Sequence, residues 1–301
     1  MRRITLFSLF LLCFSSLLAQ DKLKVIIDAD TGNEVDDLYA IVRGLIEPSW
    51  DVIALNATQW QPAHWAVEQT MEESYRLNQV LLGYLEMNGK VKSLRGGTNR
   101  LFDWGNRAQP SLASQHLIEA AHDMPSGEQL TVIALGALTN VATAILMDPS
   151  ITPKIKLYWL GSTYDFEKDI LRKRDFNCMM DPQALEEVLA SKVEFHVIPV
   201  NIAAQMTFEY KESKEKLGGQ HDLLDFLLDR WYNHLDGGRI ERTIWDLAII
   251  DAVIHPEWIE EVEIKTSKEN YSRSIHYIKD IDEDKMRSEF FEKVLTFLTK
   301  K

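Results

Sequence analysis

The sequence predicts one α/β domain, an open and mostly parallel sheet with helices on both faces. Three observations predict it. Short, near-continuous apolar runs rich in β-formers recur along the chain, segments of helical spacing lie between them, and polar residues gather just after the runs. The strand candidates are 23–27, 51–58, 130–135, 155–161 and 193–200. The helix candidates are 35–46, 67–83, 112–122, 139–146 and 182–191, with Asp181-Pro182 supplying an N-cap and a first-turn proline to the last. Strand and helix in alternation make βαβ units, and in such sheets ligands collect beyond the carboxyl ends of the strands. The residues directly after each strand are therefore the ones to weigh.

No repeat, low-complexity stretch or Pro/Gly/Ser-rich linker divides the chain, so residues 20–301 read as a single domain. The first nineteen residues differ from it. Arg2 and Arg3 precede an apolar run over 4–18 with Ser15, Ser16 and Ala19 at its end, the pattern of a signal peptide cleaved near Ala19. Secretion or a periplasmic location is the expectation. Without that segment Cys178 is the only cysteine, so no internal disulfide is expected even in an oxidising compartment. The formal charge of −13 becomes about −15 once Arg2 and Arg3 are removed, a surface that repels phosphate backbones. Nucleic-acid polymers and anionic membranes are disfavoured as partners. A final helix is expected over 289–299, and the stretch from 264 onward, charged around 271–287, suits the edge of the sheet.

The first strand runs straight into Asp28-Ala29-Asp30-Thr31-Gly32-Asn33-Glu34-Val35-Asp36-Asp37, five acids in ten residues. Carboxylates so crowded repel one another, and a bound hard cation neutralises them; Ca²⁺ tolerates the irregular oxygen coordination such a loop offers. A solvated turn before an acidic helix start fits the same residues. So does a phosphatase strand ending in Asp-x-Asp-x-Thr, although Gly32 occupies its threonine position and Asp36-Asp37 would have no role there.

Asp28-x-Asp30-x-Gly32 followed by Asp36-Asp37 resembles the signature of the inosine-uridine-preferring nucleoside hydrolases. Three later segments agree in order: 134–140 (ALGALTN), Asp175-Phe176-Asn177 with Asp181-Pro182, and Trp245-Asp246. The resemblance implies the Rossmann-like nucleoside hydrolase fold and a homo-oligomer, dimer or tetramer. It implies that Asp30, Asp37 and Asp246 bind Ca²⁺ by carboxylate and Leu135 by its backbone carbonyl. Asp30 would also be the general base that activates a water. Asp36 would hold that water and a ribose hydroxyl, Asp28 would support the loop, Asp175 and Asn177 would grip the other hydroxyls, and Glu34 would be a solvated bystander. An N-glycosidic bond breaks through an oxocarbenium-like ribosyl cation, which a nest of carboxylates stabilises.

The chain departs from the family in several places. Glu34 and Val35 lengthen the acidic loop by two residues, Asp175 replaces a glutamate, and Asp169 stands where many members carry a sugar-contacting asparagine. The charged stretch 166–174 reads as a surface loop able to close over the site, or as one merely solvated. Trp245 stands where many members place the histidine that protonates the leaving base. That resembles the purine-preferring members, in which tryptophan stacks on the base. Trp60 and Gln61 end the second strand where the family has another substrate contact, which makes Gln61 a candidate, and His64 follows in the same loop. The other tryptophans, Trp50, Trp65, Trp104, Trp159, Trp231 and Trp258, read as core or interface.

The expected activity is Ca²⁺-dependent hydrolysis of ribonucleosides, purine ones first, to ribose and free base. Two alternatives stay open: a Ca²⁺-dependent riboside-binding protein without turnover, and a hydrolase of some other N-riboside.

Overall fold

A computed structural model describes residues 22–104 and 107–299, so the segment read as a signal peptide lies outside the described residues. Eight strands form the central sheet. In chain order they are β1 (Leu23–Ala29), β2 (Trp50–Ala57), β3 (Lys92–Arg95), β4 (Leu130–Ala134), β5 (Ile155–Leu160), β8 (Glu194–Ile198), β11 (Ile259–Lys265) and β12 (Ser274–Ile281). Two short antiparallel pairs lie apart from it, β6 (Thr163–Asp165) with β7 (Ile170–Arg172) and β9 (Thr207–Glu209) with β10 (Glu241–Thr243). The sheet order is β11-β12-β8-β5-β4-β1-β2-β3, parallel throughout except for the β11–β12 pair.

The helices are α1 (Asp36–Leu45), α2 (Thr70–Tyr84), α3 (Leu112–His122), α4 (Thr139–Met147), α5 (Phe176–Met180), α6 (Pro182–Ala190), α7 (Val200–Ala203), α8 (Tyr210–Leu217), α9 (Asp222–Tyr232), α10 (Leu247–Ile254) and α11 (Glu283–Thr299). Strand alternation decides which layer each side chain joins. In β1, Val25, Ile27 and Ala29 join a core shared with α1, α2, α9, α10 and α11, while Ile26 points to the core beneath α3, α4 and α6. Both faces of the inner strands are thus covered, which is why their sequences read as continuous apolar runs. Each fully buried aliphatic side chain contributes about 1.5–3 kcal/mol, and the free, buried Cys178 joins no disulfide.

The chain passes from β1 outward through β2 to β3, then returns to place β4 on the other side of β1. This reversal opens a crevice at the carboxyl ends of β1 and β4, where such sheets bind ligands. The N-cap reading at Asp181 holds: its side chain accepts from the Ala184 amide, and Pro182 takes the first turn.

Three expectations are corrected. The 166–174 stretch, expected as a surface loop, is a turn over 166–169 followed by β7, whose Arg172, Leu171 and Ile170 pair with Thr163, Tyr164 and Asp165. The last helix begins at Glu283, six residues before position 289, its early turns hidden by charge. The segment before it forms β12, which lies inside the edge strand β11 rather than at the edge itself.

Candidate active site

Hydrogen bonding in register holds the acidic loop in the crevice. The Leu135 amide donates to Asp28 O and the Thr58 amide to Ala29 O, each at 2.8 Å, so the strand ends on either side of β1 are fixed against it. Asp28 is fully buried, accepts from Asn140 Nδ2 at 2.8 Å, and has its pKa raised by burial to about 6. The chain then turns, with the Asn33 amide donating to Asp30 O at 2.8 Å, and enters α1 through Asp36 and Asp37. Carboxylates in a first turn are favoured by the helix dipole.

Asp246 enters from the far side as the N-cap of α10, yet its side chain makes no capping hydrogen bond. An aspartate at this position ordinarily folds back onto the helix amides. Here the carboxylate is left for the crevice instead. One carboxylate oxygen each of Asp36, Asp37 and Asp246 lies within 4.8 Å of the others, and Asp30 lines the same pocket. None of the four residues is more than 5% exposed. Asp30 Oδ2, Asp36 Oδ1, Asp37 Oδ1 and Asp246 Oδ1 are buried with no hydrogen-bond partner among the described residues.

The electrostatics follow from that crowding. Burial first, and then repulsion from Asp36, raises the pKa of Asp30. Burial and the charges of Asp30 and Asp36 raise Asp37, and burial with the charges of Asp36, Asp37 and Asp30 raises Asp246. Burial, assisted by Glu34, raises Asp36 to about 7. Four desolvated carboxylates with orphaned oxygens describe a cavity that lacks its counter-charge. The donors are hard oxygens, and among the described residues no sulfur or imidazole lines the pocket, so the set suits Ca²⁺ or Mg²⁺ rather than a softer metal.

The pocket above has a volume of about 260 Å³. Leu135 and Leu160 at strand ends and Val200 at the start of α7 line it, with Asp175 and Asn177 on one wall. Asn177 Nδ2 donates to Leu135 O at 2.6 Å and to Leu160 O at 3.0 Å, so its amide stitches two strand ends and leaves Oδ1 as its remaining polar atom. Leu135 O keeps a second lone pair. Asp175 caps α5, accepting from the amides of Ser162, Asn177 and Cys178, and burial raises its pKa.

Three aromatic rings complete the wall. Trp245 lines the pocket, as the sequence suggested. Trp65 lines it too, stacked on Phe176 with centroids 5.5 Å apart and planes 17° apart, and its indole N–H donates to Asn33 Oδ1 at 3.1 Å. Trp65, expected in the core or an interface, does pack against the cluster of Trp60, Ala137 and Met180, and it presents its ring to the pocket as well. Trp50, Trp159 and Trp231 are buried as expected, and the Trp104 side chain lies outside the described residues.

Gln61 is a further correction, because it is not among the residues lining this pocket. Its side chain is tied to Thr70 Oγ1 at 3.3 Å and its amide to Gln59 Oε1, which turns it toward the start of α2. Asp169 likewise accepts from the Tyr164 hydroxyl rather than entering the pocket. Glu34 is no bystander: it lines the pocket, ion-pairs with Arg242, and stands 3.9 Å from His234 Nε2. Arg242 is held in turn by Asp236 at 2.6 Å. Sequence reading missed Trp65, Phe176, Asn33 and Arg242. Trp65 carried one usable signal, its place in the loop after the second strand.

Comparison with known proteins agrees with this geometry. Over 262 residues and 78% of each chain, the protein is 27% identical to "Probable uridine nucleosidase 1" of Oryza sativa subsp. japonica. It is 24% identical over 273 residues to "Pyrimidine-specific ribonucleoside hydrolase RihB" of Escherichia coli (strain K12 / DH10B), spanning 81% of this chain and 82% of that one. Among solved structures, a plant nucleoside hydrolase, PpNRh1, shares the fold with a TM-score of 0.70 at 19% identity, covering 92% of this chain and 99% of the other. The "Purine-Preferring Ribonucleoside Hydrolase from Gardnerella vaginalis" matches with a TM-score of 0.70 at 18% identity, covering 92% and 100%. The family model "Inosine-uridine preferring nucleoside hydrolase" matches residues 25–289, which takes in both the acidic loop and Asp246, and the chain belongs to that family as a nucleosidase.

Proposed function

We propose that the protein is a Ca²⁺-dependent ribonucleoside hydrolase that prefers purine nucleosides and uses Asp30 as general base. The observation that carries the reading is the set of four buried carboxylates with unpartnered oxygens beneath a pocket walled by Trp65, Phe176 and Trp245. Asp30, Asp37, Asp246 and the carbonyl of Leu135 are the groups that would hold the ion. When bound, Ca²⁺ supplies the counter-charge these carboxylates lack, acidifies a water and orients the ribose hydroxyls.

The remaining work belongs to the chain's own groups. Asp30 accepts the proton of the attacking water at a carboxylate oxygen that makes no other hydrogen bond among the described residues. Asp36, beside it, orients the same water and one ribose hydroxyl. Asn177 Oδ1 and Asp175 accept from the other hydroxyls, with Asn177 braced by Leu135 O and Leu160 O. As the glycosidic bond lengthens, positive charge grows on the ribosyl ring, and the surrounding carboxylates stabilise it. The base leaves against the aromatic wall, where stacking on Trp65 and Trp245 favours a wide, flat ring. Among the described residues no histidine lines the pocket, so solvent supplies the leaving-group proton.

The curated relatives reported above are named for uridine or pyrimidine nucleosides, which makes base preference the sharpest point to test. The experiment measures ribose release from inosine, adenosine, guanosine and uridine by the purified protein, with and without chelator. Purines turned over fastest, with activity lost on chelation and restored by Ca²⁺, is the expected result. Uridine outrunning every purine overturns the base preference, and indifference to chelation overturns the metal dependence. Binding without product identifies a riboside-binding protein instead. Secretion or periplasmic residence is supported by the pattern of residues 1–19, and assembly into a homo-oligomer by the family resemblance.

A further inference from the structure

A second constellation of metal-binding side chains lies on the outer half of the sheet, none of it lining the active-site pocket. Cross-strand register builds it. Tyr158 on β5 pairs with His196 on β8, and His196 pairs with His276 on β12. Residues paired in this way share a face, so their rings form a ladder: Tyr158 to His196 at 4.6 Å and 22°, His196 to His276 at 4.5 Å and 11°. On the next strand, a register irregularity between Glu260 and Glu261 re-aims the chain, and Glu261 arrives beside both imidazoles. Its Oε1 is 2.7 Å from His196 Nδ1 and its Oε2 is 3.7 Å from His276 Nδ1.

The other nitrogen of His196 is already committed. Nε2 lies 3.1 Å from Glu194 Oε1, and Glu194 is itself anchored 2.8 Å from Lys156 Nζ. An imidazole that donates its Nε2 proton to a carboxylate presents a lone pair at Nδ1, the arrangement that orients histidine ligands toward a metal. Glu261 Oε1 lies 2.7 Å from Nδ1, a hydrogen-bond distance, and a metal ion takes the place of the shared proton once the pair opens to the separation an ion requires. A proton would serve His196 alone. A metal ion also employs His276, which the strand register delivers to the same spot.

We propose that His196, His276 and Glu261 bind one divalent transition-metal ion of the Zn²⁺ class. Two imidazoles and one carboxylate suit Zn²⁺ and its neighbours, whereas Ca²⁺ prefers the all-oxygen pocket at the strand ends. Donors around a tetrahedral Zn²⁺ lie roughly 3.3 Å apart. The three here already lie within 4.8 Å of one another. Rotation of the His276 ring about its soft terminal torsion breaks the parallel stack and brings its nitrogen to the ion, while solvent fills the open side beside the half-buried His276 and the exposed Glu261. Bound metal ties β8, β12 and the antiparallel edge strand β11 together, so it stabilises the outer third of the sheet. The inference does not depend on the substrate assignment.

The test titrates Zn²⁺ into the full chain with Ca²⁺ in excess, read by calorimetry and thermal unfolding, and repeats it with Co²⁺, read by visible absorption. One ion per chain is expected to bind and to raise Tm, with affinity falling at least about tenfold in His276→Ala and in Glu261→Gln, both at partly exposed positions. Zn²⁺ uptake that excess Ca²⁺ abolishes, or that both variants retain undiminished, overturns the proposal. So does ring NMR showing His196 protonated on both nitrogens while Zn²⁺ is saturating.

Discussion

Arg43 Nε stands 3.5 Å from Asp251 Oδ1, and neither side chain reaches solvent. Arg43 belongs to α1 and Asp251 to α10, the two helices whose first residues bring Asp36, Asp37 and Asp246 to the pocket. The same guanidinium donates to Glu47 Oε2 at 2.9 Å and to Glu289 Oε1 of α11 at 3.1 Å. One cation thus holds three helices together behind the acidic loop, and burial raises the pKa of Asp251 against the pull of Arg43. Removing the cation leaves buried carboxylates without compensation, which costs about 3–5 kcal/mol. Arg43→Met is therefore expected to lower the unfolding free energy measured by denaturant titration by that amount and to weaken Ca²⁺ binding, because the helix starts lose their mutual reference. A loss below about 1 kcal/mol would show the pair to be dispensable.

Ion binding and pH are linked through the pocket acids. A carboxyl whose folded pKa is raised keeps its proton in the folded chain after the unfolded chain has released it. For Asp36 that window runs from 3.8 to about 7. Across it the folded state binds more protons, so the stability of the ion-free protein falls as pH rises. Asp30, Asp37 and Asp246 shift in the same direction. A cation replaces those protons, and the rise in Tm produced by excess Ca²⁺ is expected to be larger at about pH 8 than at about pH 5. Scanning unfolding with Ca²⁺ and with chelator at the two pH values checks this. An equal gain at both would mean that the ion and the protons do not share the site.

The acidic loop was legible because its carboxylates are adjacent in sequence and follow an unmistakable apolar strand. Asp246 and Leu135, which enter from distant segments, were reached only through the family resemblance. The aromatic wall was not legible. Trp65 comes from the loop after β2 and Phe176 from the first turn of α5, and only the fold stacks them. Gln61 failed for a local reason, since the Thr70 hydroxyl and the backbone turn claim its side chain. The outer strands were hidden by their composition: β11 reads Ile-Glu-Glu-Val-Glu-Ile-Lys, too charged to resemble a buried parallel strand. Lys92–Arg95 is four residues long with a charge at each end.

Trp65 separates base recognition from chemistry. Its ring touches the pocket but carries no group that exchanges a proton with water or sugar, and its indole N–H is occupied by Asn33 Oδ1. A stacked aromatic contact is worth about 1 kcal/mol, or roughly fivefold in binding. Trp65→Ala should therefore raise KM for a purine nucleoside about fivefold and leave kcat within about twofold, the signature of lost uniform binding. Steady-state kinetics on inosine and uridine with the variant make the check. A fall in kcat at unchanged KM would assign the ring to the transition state instead.

Asp30 is placed by contacts that leave its carboxylate little freedom. A Cβ added at Gly136 would stand 2.7 Å from Asp30 Cγ and 2.8 Å from Thr58 Cγ2, so only glycine lets the carboxylate lie where it does. Asp30→Asn keeps that shape and removes the base. It is expected to lower kcat by about 10²–10⁴-fold, the ordinary contribution of a positioned general base. Its Tm without Ca²⁺ should equal or exceed that of the wild type, because one of four crowded carboxylates has gone. Gly136→Ala keeps the carboxylate but displaces it, and should also lose most of kcat. Together the two variants separate the presence of the base from its position. An Asp30→Asn enzyme that retains more than about a tenth of the wild-type kcat, with its fold intact by circular dichroism, would take the general-base role away from this residue.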